Sequence, residues 1–130
     1  MPDDQTLMQL ARDVAENAHC PYSGFHVGAA IVWADGSTTV GCNVENASYP
    51  VTVCAERSAV SAGVGLGHRV IKRVAVWADV EETVSPCGAC RQVLIEFAAG
   101  AAGEIEVLMG GRTDIKKTTL AVLLPDAFGA

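Results

Sequence analysis

Positive charge is scarce in this chain: Lys and Arg total 9 against 15 Asp and Glu, for a formal net charge of -6. A protein that grips a polyanion needs a basic stripe, because phosphate neutralisation supplies most non-specific affinity. Here the basic residues are scattered, and Lys116–Lys117 is the one lysine pair. Aromatic side chains are also few, at 5% of residues, so a cation-lined stacking platform for single strands is lacking. Nucleic acid is not an expected partner. No apolar run approaches the roughly 18–20 residues a membrane span requires, so no membrane is expected either. The first residues, "MPDDQTLMQL", are acidic and lack the basic and apolar blocks of an export leader. Cysteine is present in odd number, at Cys20, Cys42, Cys54, Cys87 and Cys90. Without a leader, that argues against a disulfide framework and for reduced thiols, metal ligands or packing. The expected location is the cytoplasm.

No internal repeat, low-complexity tract or linker interrupts the 130 residues, half of which are hydrophobic. That length suits one compact domain, residues 1–130, with its own core. Leu7, Leu10, Ala11, Val14 and Ala18 recur at helical spacing and predict a helix from Asp4 to about Ala18, stopped by "CPYSG" at Cys20–Gly24. "FHVGAAIVWADGSTTVGCNVE" predicts two strands around a tight turn at Asp35–Gly36. After the breaker Pro50, a helix is predicted over Val53 to about Val64, then a strand over Val70–Asp79. A second central helix starts at "SPCGACRQVLIEFAA", with Ser85 as its N-cap and Pro86 as its first residue. "EIEVLMG" is a further strand, and Thr119 caps a short helix in "LAVLL". Strand, strand, helix, strand, helix, strand is an α/β arrangement, with helices on the faces of one mixed sheet. The stretch "SAVSAGVGLG" is small almost all round, which suits close approach of a neighbour, either another subunit's helix or an internal one.

The chemistry gathers in two short motifs. Cys87 and Cys90 in "PCGAC" stand three apart at a predicted helix start, so both sulfurs can reach one ion. Free backbone N–H groups there favour thiolate over thiol. Redox dithiols share this spacing, and a third partner decides for a metal. Cys54 in "VTVCAERSAV" supplies it at the beginning of the other central helix. Cys54 and Glu56, two apart, serve one site only if Cys54 lies at the non-helical cap. Three sulfurs leave one tetrahedral position open, the mark of a catalytic rather than a structural zinc site. Cys20, Cys42, His19, His26 and His68 have no ligand-type spacing to the three, and packing or exposure is their expected role. Alone, Glu56 would read as a solvated helix glutamate paired with Arg57. Beside Cys54 and a downstream P-C-x-x-C, it reads as the carboxylate that takes and returns a proton of metal-bound water. Zinc with three thiolates carries a formal charge of about −1, which some cation should offset. Arg57 is the nearest candidate, expected to donate to thiolate sulfur, and Arg91 is the second.

"CAE" followed by "PCGAC" resembles the signature of the zinc-dependent nucleobase deaminases, H/C-x-E and P-C-x-x-C. With Cys54 in the first position, the chain is similar to the three-cysteine branch, the small cytidine deaminases of pyrimidine salvage. "YSGFHVGAA", "NVENASYP", "CAERSAV", "SPCGACRQVL" and "LLPDAF" follow the family's order across most of the chain. The resemblance implies a five-stranded mixed sheet sandwiched by helices, and a homotetramer whose sites are completed by neighbouring chains. It implies one Zn²⁺ per chain on Cys54, Cys87 and Cys90, with Glu56 as proton shuttle. It further implies that Asn43 and Glu45 hold ribose hydroxyls, Phe25 stacks on a pyrimidine, and backbone near Ala55 and Ser85 holds the amino group. Ala47, Tyr49 and Phe128 would approach from adjoining subunits. The implied reaction is hydrolysis of cytidine, and of 2'-deoxycytidine, to uridine or deoxyuridine and ammonia.

The residues themselves agree with that substrate. Asn43 and Glu45 are two apart at a strand end, so both leave on one face. An amide and a carboxylate suit neutral hydroxyls and repel a phosphate, favouring a nucleoside over a nucleotide. Other classes remain open at this point: a structural zinc protein, a deaminase of bases within nucleic acid, or a relative acting on a nucleoside antibiotic.

Overall fold

A computed structural model of the chain describes residues 1–100 and 104–129. Helix α1 (Asp4–Ala15) is capped by the Asp3 carboxylate, which accepts from the Thr6 N–H at 2.8 Å. It ends earlier than the apolar spacing predicts. Glu16, Asn17 and Ala18 donate to carbonyls three residues back, so the chain tightens into turns beyond Ala15. Strands β1 (Val27–Trp33) and β2 (Thr38–Cys42) form the expected hairpin. A short 3₁₀ turn at Tyr49–Val51 leads to α2 (Ala55–Gly65), then β3 (Ile71–Ala78) and α3 (Gly88–Glu96). The chain closes with β4 (Glu106–Gly110), β5 (Ile115–Thr119) and the single turn α4 (Leu120–Leu123), with Thr119 at its N-cap position.

The five strands lie in the order β2-β1-β3-β4-β5, with β3 and β4 parallel and the other pairs antiparallel. Strand β5 has no counterpart among the elements that apolar patterning predicts. Its sequence, IKKTT, is an exposed sheet edge, where lysines discourage pairing with another chain. The mixed α/β sheet with helices on its faces is otherwise as expected.

Alternation along β1 and β3 divides the core in two. Ala30, Val32, Ala75 and Trp77 face α1 together with Leu108. Ala29, Ile31, Trp33, Val74 and Val76 face the other way, against Ala55, Ala59 and Val60 of α2 and Leu94 of α3. The result is three layers: α1, sheet, and α2 with α3. The small residues of α2 have an internal use. A Cβ on Gly63 would stand 2.0 Å from the Trp33 ring, and one on Gly41 of β2 would stand 2.4 Å from the Ala59 nitrogen. The backbone of α2 therefore lies directly on the sheet, and the Trp33 indole donates to Thr39, whose hydroxyl donates to the Ala59 carbonyl. The opposite face of α2, with Ser61, Ala62, Gly65 and Leu66, is exposed.

Candidate metal centre and active site

Cys54 and Cys87 are the N-cap residues of α2 and α3, both in extended backbone (ψ 156° and 166°). The second helix thus starts later than Ser85. Ser85 does not cap it, because its hydroxyl instead accepts from the Arg91 guanidinium, and the Arg91 N–H closes the first turn on the Cys87 carbonyl. Likewise Val53 is not helical: it exchanges two backbone hydrogen bonds of 2.9 Å with Val44. That bridge brings the Asn43–Glu45 segment beside the metal helix. Cys54 occupies the non-helical cap that a shared site with Glu56 requires.

The two helix starts converge. The Sγ atoms of Cys54, Cys87 and Cys90 all lie within 4.8 Å of one another, and those of Cys87 and Cys90 are 3.4 Å apart. Tetrahedral zinc with Zn–S near 2.3 Å places its sulfurs roughly 3.8 Å apart, so small side-chain rotations suffice. No histidine or carboxylate joins the three among the described residues. His26 meets the Ala15 carbonyl, His68 stacks on Trp33, and the Cys20 thiol is buried. The donor set fits a zinc ion with one position left for a small ligand. The close approach of the sulfurs also eases loss of the proton from Cys54. Donation from Cys90, then from Cys87, and the charge of Arg57 bring Cys54 down to about 6 against the opposing effect of burial. The same bond to Cys54, then burial and the Glu56 charge, hold the Cys90 thiol well above its ordinary value. A bound cation displaces such a shared proton. Among the described residues no hydrogen bond joins Arg57 to a sulfur, so its influence on Cys54 is that of a nearby charge. Arg91, the second cation considered, is spent on Pro86, Leu123 and Ser85.

Glu56, in the first turn of α2, is 5% exposed. Burial, and secondarily the negative Cys54, push its carboxyl above the usual range, while its own backbone N–H and Cys90 pull the other way. It lines a cleft of about 200 Å³ with Phe25, Val27, Asn43, Cys54, Ala55 and Cys87. Asn43 is buried, its oxygen accepting from Val27 N–H at 2.9 Å and its amide donating to the Phe25 carbonyl at 2.8 Å. It therefore fixes Phe25 and keeps one N–H and one lone pair spare.

Glu45 lines an adjacent groove of about 370 Å³ that shares Thr52 with the cleft. Its carboxylate accepts from the Tyr22 and Ser23 N–H groups at 3.0 and 3.1 Å and from the Ser23 hydroxyl. The Ser23 hydroxyl, followed by these N–H groups, holds it below the usual carboxylate range. Ser23 also accepts from the Phe25 N–H. That residue escapes the motif patterns, and the one general signal for it is the tendency of Ser hydroxyls to bond the backbone two residues on in turns. Tyr49 shares the groove with Glu45, while Ala47 and Phe128 stand outside both cavities of their own chain. Tyr49 and Phe128 are 73% and 84% exposed.

Residues 1–102 match the family model described as the cytidine and deoxycytidylate deaminase zinc-binding region. A cytidine deaminase of Sporosarcina psychrophila is 47% identical over 97% of this chain and 91% of its own length. One from Halalkalibacterium halodurans is 44% identical over 98% and 96%. The crystal structure of cytidine deaminase from Burkholderia pseudomallei superimposes with a TM-score of 0.90 at 42% identity, covering 98% of this chain and all of that one. With the sheet order, the three convergent sulfurs and this extent of match, the chain belongs to the cytidine deaminase family of zinc-dependent deaminases.

Proposed function

We propose that the chain hydrolyses the exocyclic amine of cytidine, with 2'-deoxycytidine as a second substrate, in pyrimidine salvage. The observation that carries this reading is Glu56: a buried carboxyl in the same cleft as Cys54 and Cys87, with its proton affinity raised by burial. Zinc, held by Cys54, Cys87 and Cys90, supplies Lewis-acid activation of water, which can lower its pKa to about 7. The protein's own groups do the rest. Glu56 accepts the proton of the attacking water and delivers it to ring N3 as the oxygen adds to C4. It then takes the proton of the new C4 hydroxyl and passes it to the amine as the C4–N bond breaks, leaving uridine and ammonia. A raised carboxyl pKa suits both directions near neutral pH.

Phe25, pinned through Asn43 and Ser23, presents its ring to the pyrimidine. Asn43 directs its spare amide groups to the sugar. Glu45, kept ionised by Ser23 first and by backbone N–H groups, is an acceptor for ribose hydroxyls and repels phosphate. Backbone near Ala55 and Ser85 holds the amino group. Arg57 tempers the charge of the three thiolates.

The active unit in this reading is a homotetramer of single-domain chains spanning residues 1–130. Its support is the exposure of Tyr49 and Phe128, large apolar side chains left in water by one copy, together with the bare small-residue face of α2. Ala47, Tyr49 and Phe128 then reach the cleft of an adjoining chain. Five unpaired thiols favour the cytoplasm, and no helix among the described residues is long and apolar enough to cross a membrane.

The test is zinc-replete protein with cytidine, following ammonia release and confirming uridine by chromatography. Stoichiometric ammonia and uridine are expected. Absence of turnover with one zinc bound per chain would overturn the reaction. Light scattering on the same sample should give four times the mass of one 13.5 kDa chain, and a monomeric active form would remove the shared site.

A further inference from the structure

We propose that Arg91 is a positioning residue: it fixes the cleft wall ahead of Cys87 and ties it to the C-terminal segment. The proposal rests on the deaminase reading above. Arg91 lies in the first turn of α3, directly after Cys90, where a cation is disfavoured by the positive end of the helix dipole. Its guanidinium turns back past the helix start. Nε donates to the Pro86 carbonyl at 2.7 Å, Nη2 to the Ser85 hydroxyl at 3.1 Å, and Nη1 to the Leu123 carbonyl at 2.7 Å. Gln92, the next residue, donates to the Phe128 carbonyl at 3.0 Å.

The segment that receives the first two bonds is packed at Pro86, which is buried, but has no backbone ladder to fix its path. Among the described residues, no backbone–backbone hydrogen bond involves residues 82–86. Yet Val84 and Ser85 line the cleft with Glu56, and Cys87 follows at once as a metal ligand. One planar fork therefore sets the backbone before Cys87, and the same fork anchors the end of α4, from which the Phe128 segment departs. A lysine carries the same charge as a single point and does not serve three acceptors in these directions. Geometry, rather than counter-charge, is what Arg91 provides.

Arg91→Ala and Arg91→Lys test this in the full-length enzyme. Three measurements apply: amide hydrogen exchange over residues 87–97, where the Arg91 N–H closes the first turn on Cys87, and over 120–129, the visible absorption of the cobalt(II)-loaded protein, and kcat with KM for cytidine. In both variants exchange should quicken in both segments, and the cobalt–thiolate bands should shift as Cys87 moves. Turnover should fall roughly ten- to a hundredfold in kcat, the scale of misplaced reacting groups. Unchanged exchange or unchanged cobalt bands in Arg91→Lys overturns the proposal, as does recovery of kcat by the lysine, which would make Arg91 a counter-charge. If Arg91→Ala does not fold, Arg91→Lys alone decides. Exchange and cobalt absorption involve no nucleoside, so they stand or fall separately from the choice of substrate.

Discussion

Glu56→Gln separates proton transfer from metal binding. The amide keeps the shape of the carboxyl, so the cleft of about 200 Å³ is retained. At 5% exposure the position offers bulk water little access as a substitute proton carrier. No other carboxylate lines the cleft among the described residues. General acid–base catalysis by one side chain is typically worth about 10²–10⁴-fold. In the proposed mechanism Glu56 serves both the incoming water and the departing amine, which places the expected loss in kcat at the upper end. Four decades correspond to about 5.4 kcal/mol of barrier. KM should move little, because Phe25, Asn43 and Glu45 are untouched. Zinc should remain at one per chain, because the three sulfurs are intact and the carboxylate is not among them. The assay is initial-rate ammonia release at saturating cytidine, with zinc measured by atomic absorption on the same preparation. A kcat within tenfold of the parent at full zinc occupancy would refute the shuttle. Loss of zinc would refute it differently, by making Glu56 a ligand.

Three further outcomes follow from the packing and charges. Ser23→Ala removes the hydroxyl that donates to Glu45 and accepts from the Phe25 N–H, so KM for cytidine should rise several-fold with kcat little changed; steady-state kinetics showing an unaltered KM would deny Ser23 that place. Gly63→Ala puts a Cβ 2.0 Å from the Trp33 ring, and overpacking of about 1–3 kcal/mol should outweigh the roughly 1 kcal/mol helix-propensity gain. Chemical denaturation at fixed protein concentration checks this, and equal or greater stability would contradict the close approach of α2 to the sheet. Arg57→Gln removes one of the influences that lower Cys54, so protons compete with zinc to higher pH. Zinc retention against a chelator, titrated from neutral to acid, should show its midpoint moved upward in pH, and an unmoved midpoint would dismiss Arg57 as a charge partner.

The metal triad was legible because its spacing is itself chemistry. Cys87 and Cys90 must share one helix turn, and Cys54 can serve with Glu56 only from a cap, which is the position its extended backbone occupies. The hairpin at Asp35–Gly36 was legible through alternation and turn residues, with Gly36 at φ 88°. Elsewhere tertiary partners overrode local signals. Ser85 and Pro86 look like a helix start, yet Arg91, six and five residues on, takes their acceptors and the helix begins at Gly88. Val53 has helical neighbours but is claimed by Val44. Strand β5 was hidden because IKKTT has a solvated edge and almost nothing apolar to alternate. Ser23 was hidden because one hydroxyl has meaning only once Glu45, 22 residues away in sequence, folds back onto it.

The two arginines beside the metal motifs illustrate how identical side chains acquire different work. Each occupies the first turn of a helix whose N-terminus carries a thiolate ligand, where the helix dipole opposes a cation. Arg57 is offset by charge: three sulfurs converge beside it, and its field lowers Cys54 without a hydrogen bond to sulfur. Arg91 is offset by acceptors: two carbonyls and a hydroxyl, from the cleft loop and the end of α4. The first arrangement is sensitive to pH and salt, because it is a through-space interaction at a half-buried site. The second is sensitive to shape, because lysine keeps the charge but loses the fork. Replacing each arginine by lysine should therefore spare zinc retention at residue 57 and disturb the cleft wall at residue 91. The converse pattern would mean that the cations have exchanged roles, and that the geometry around Cys87 is set by something other than its hydrogen bonds.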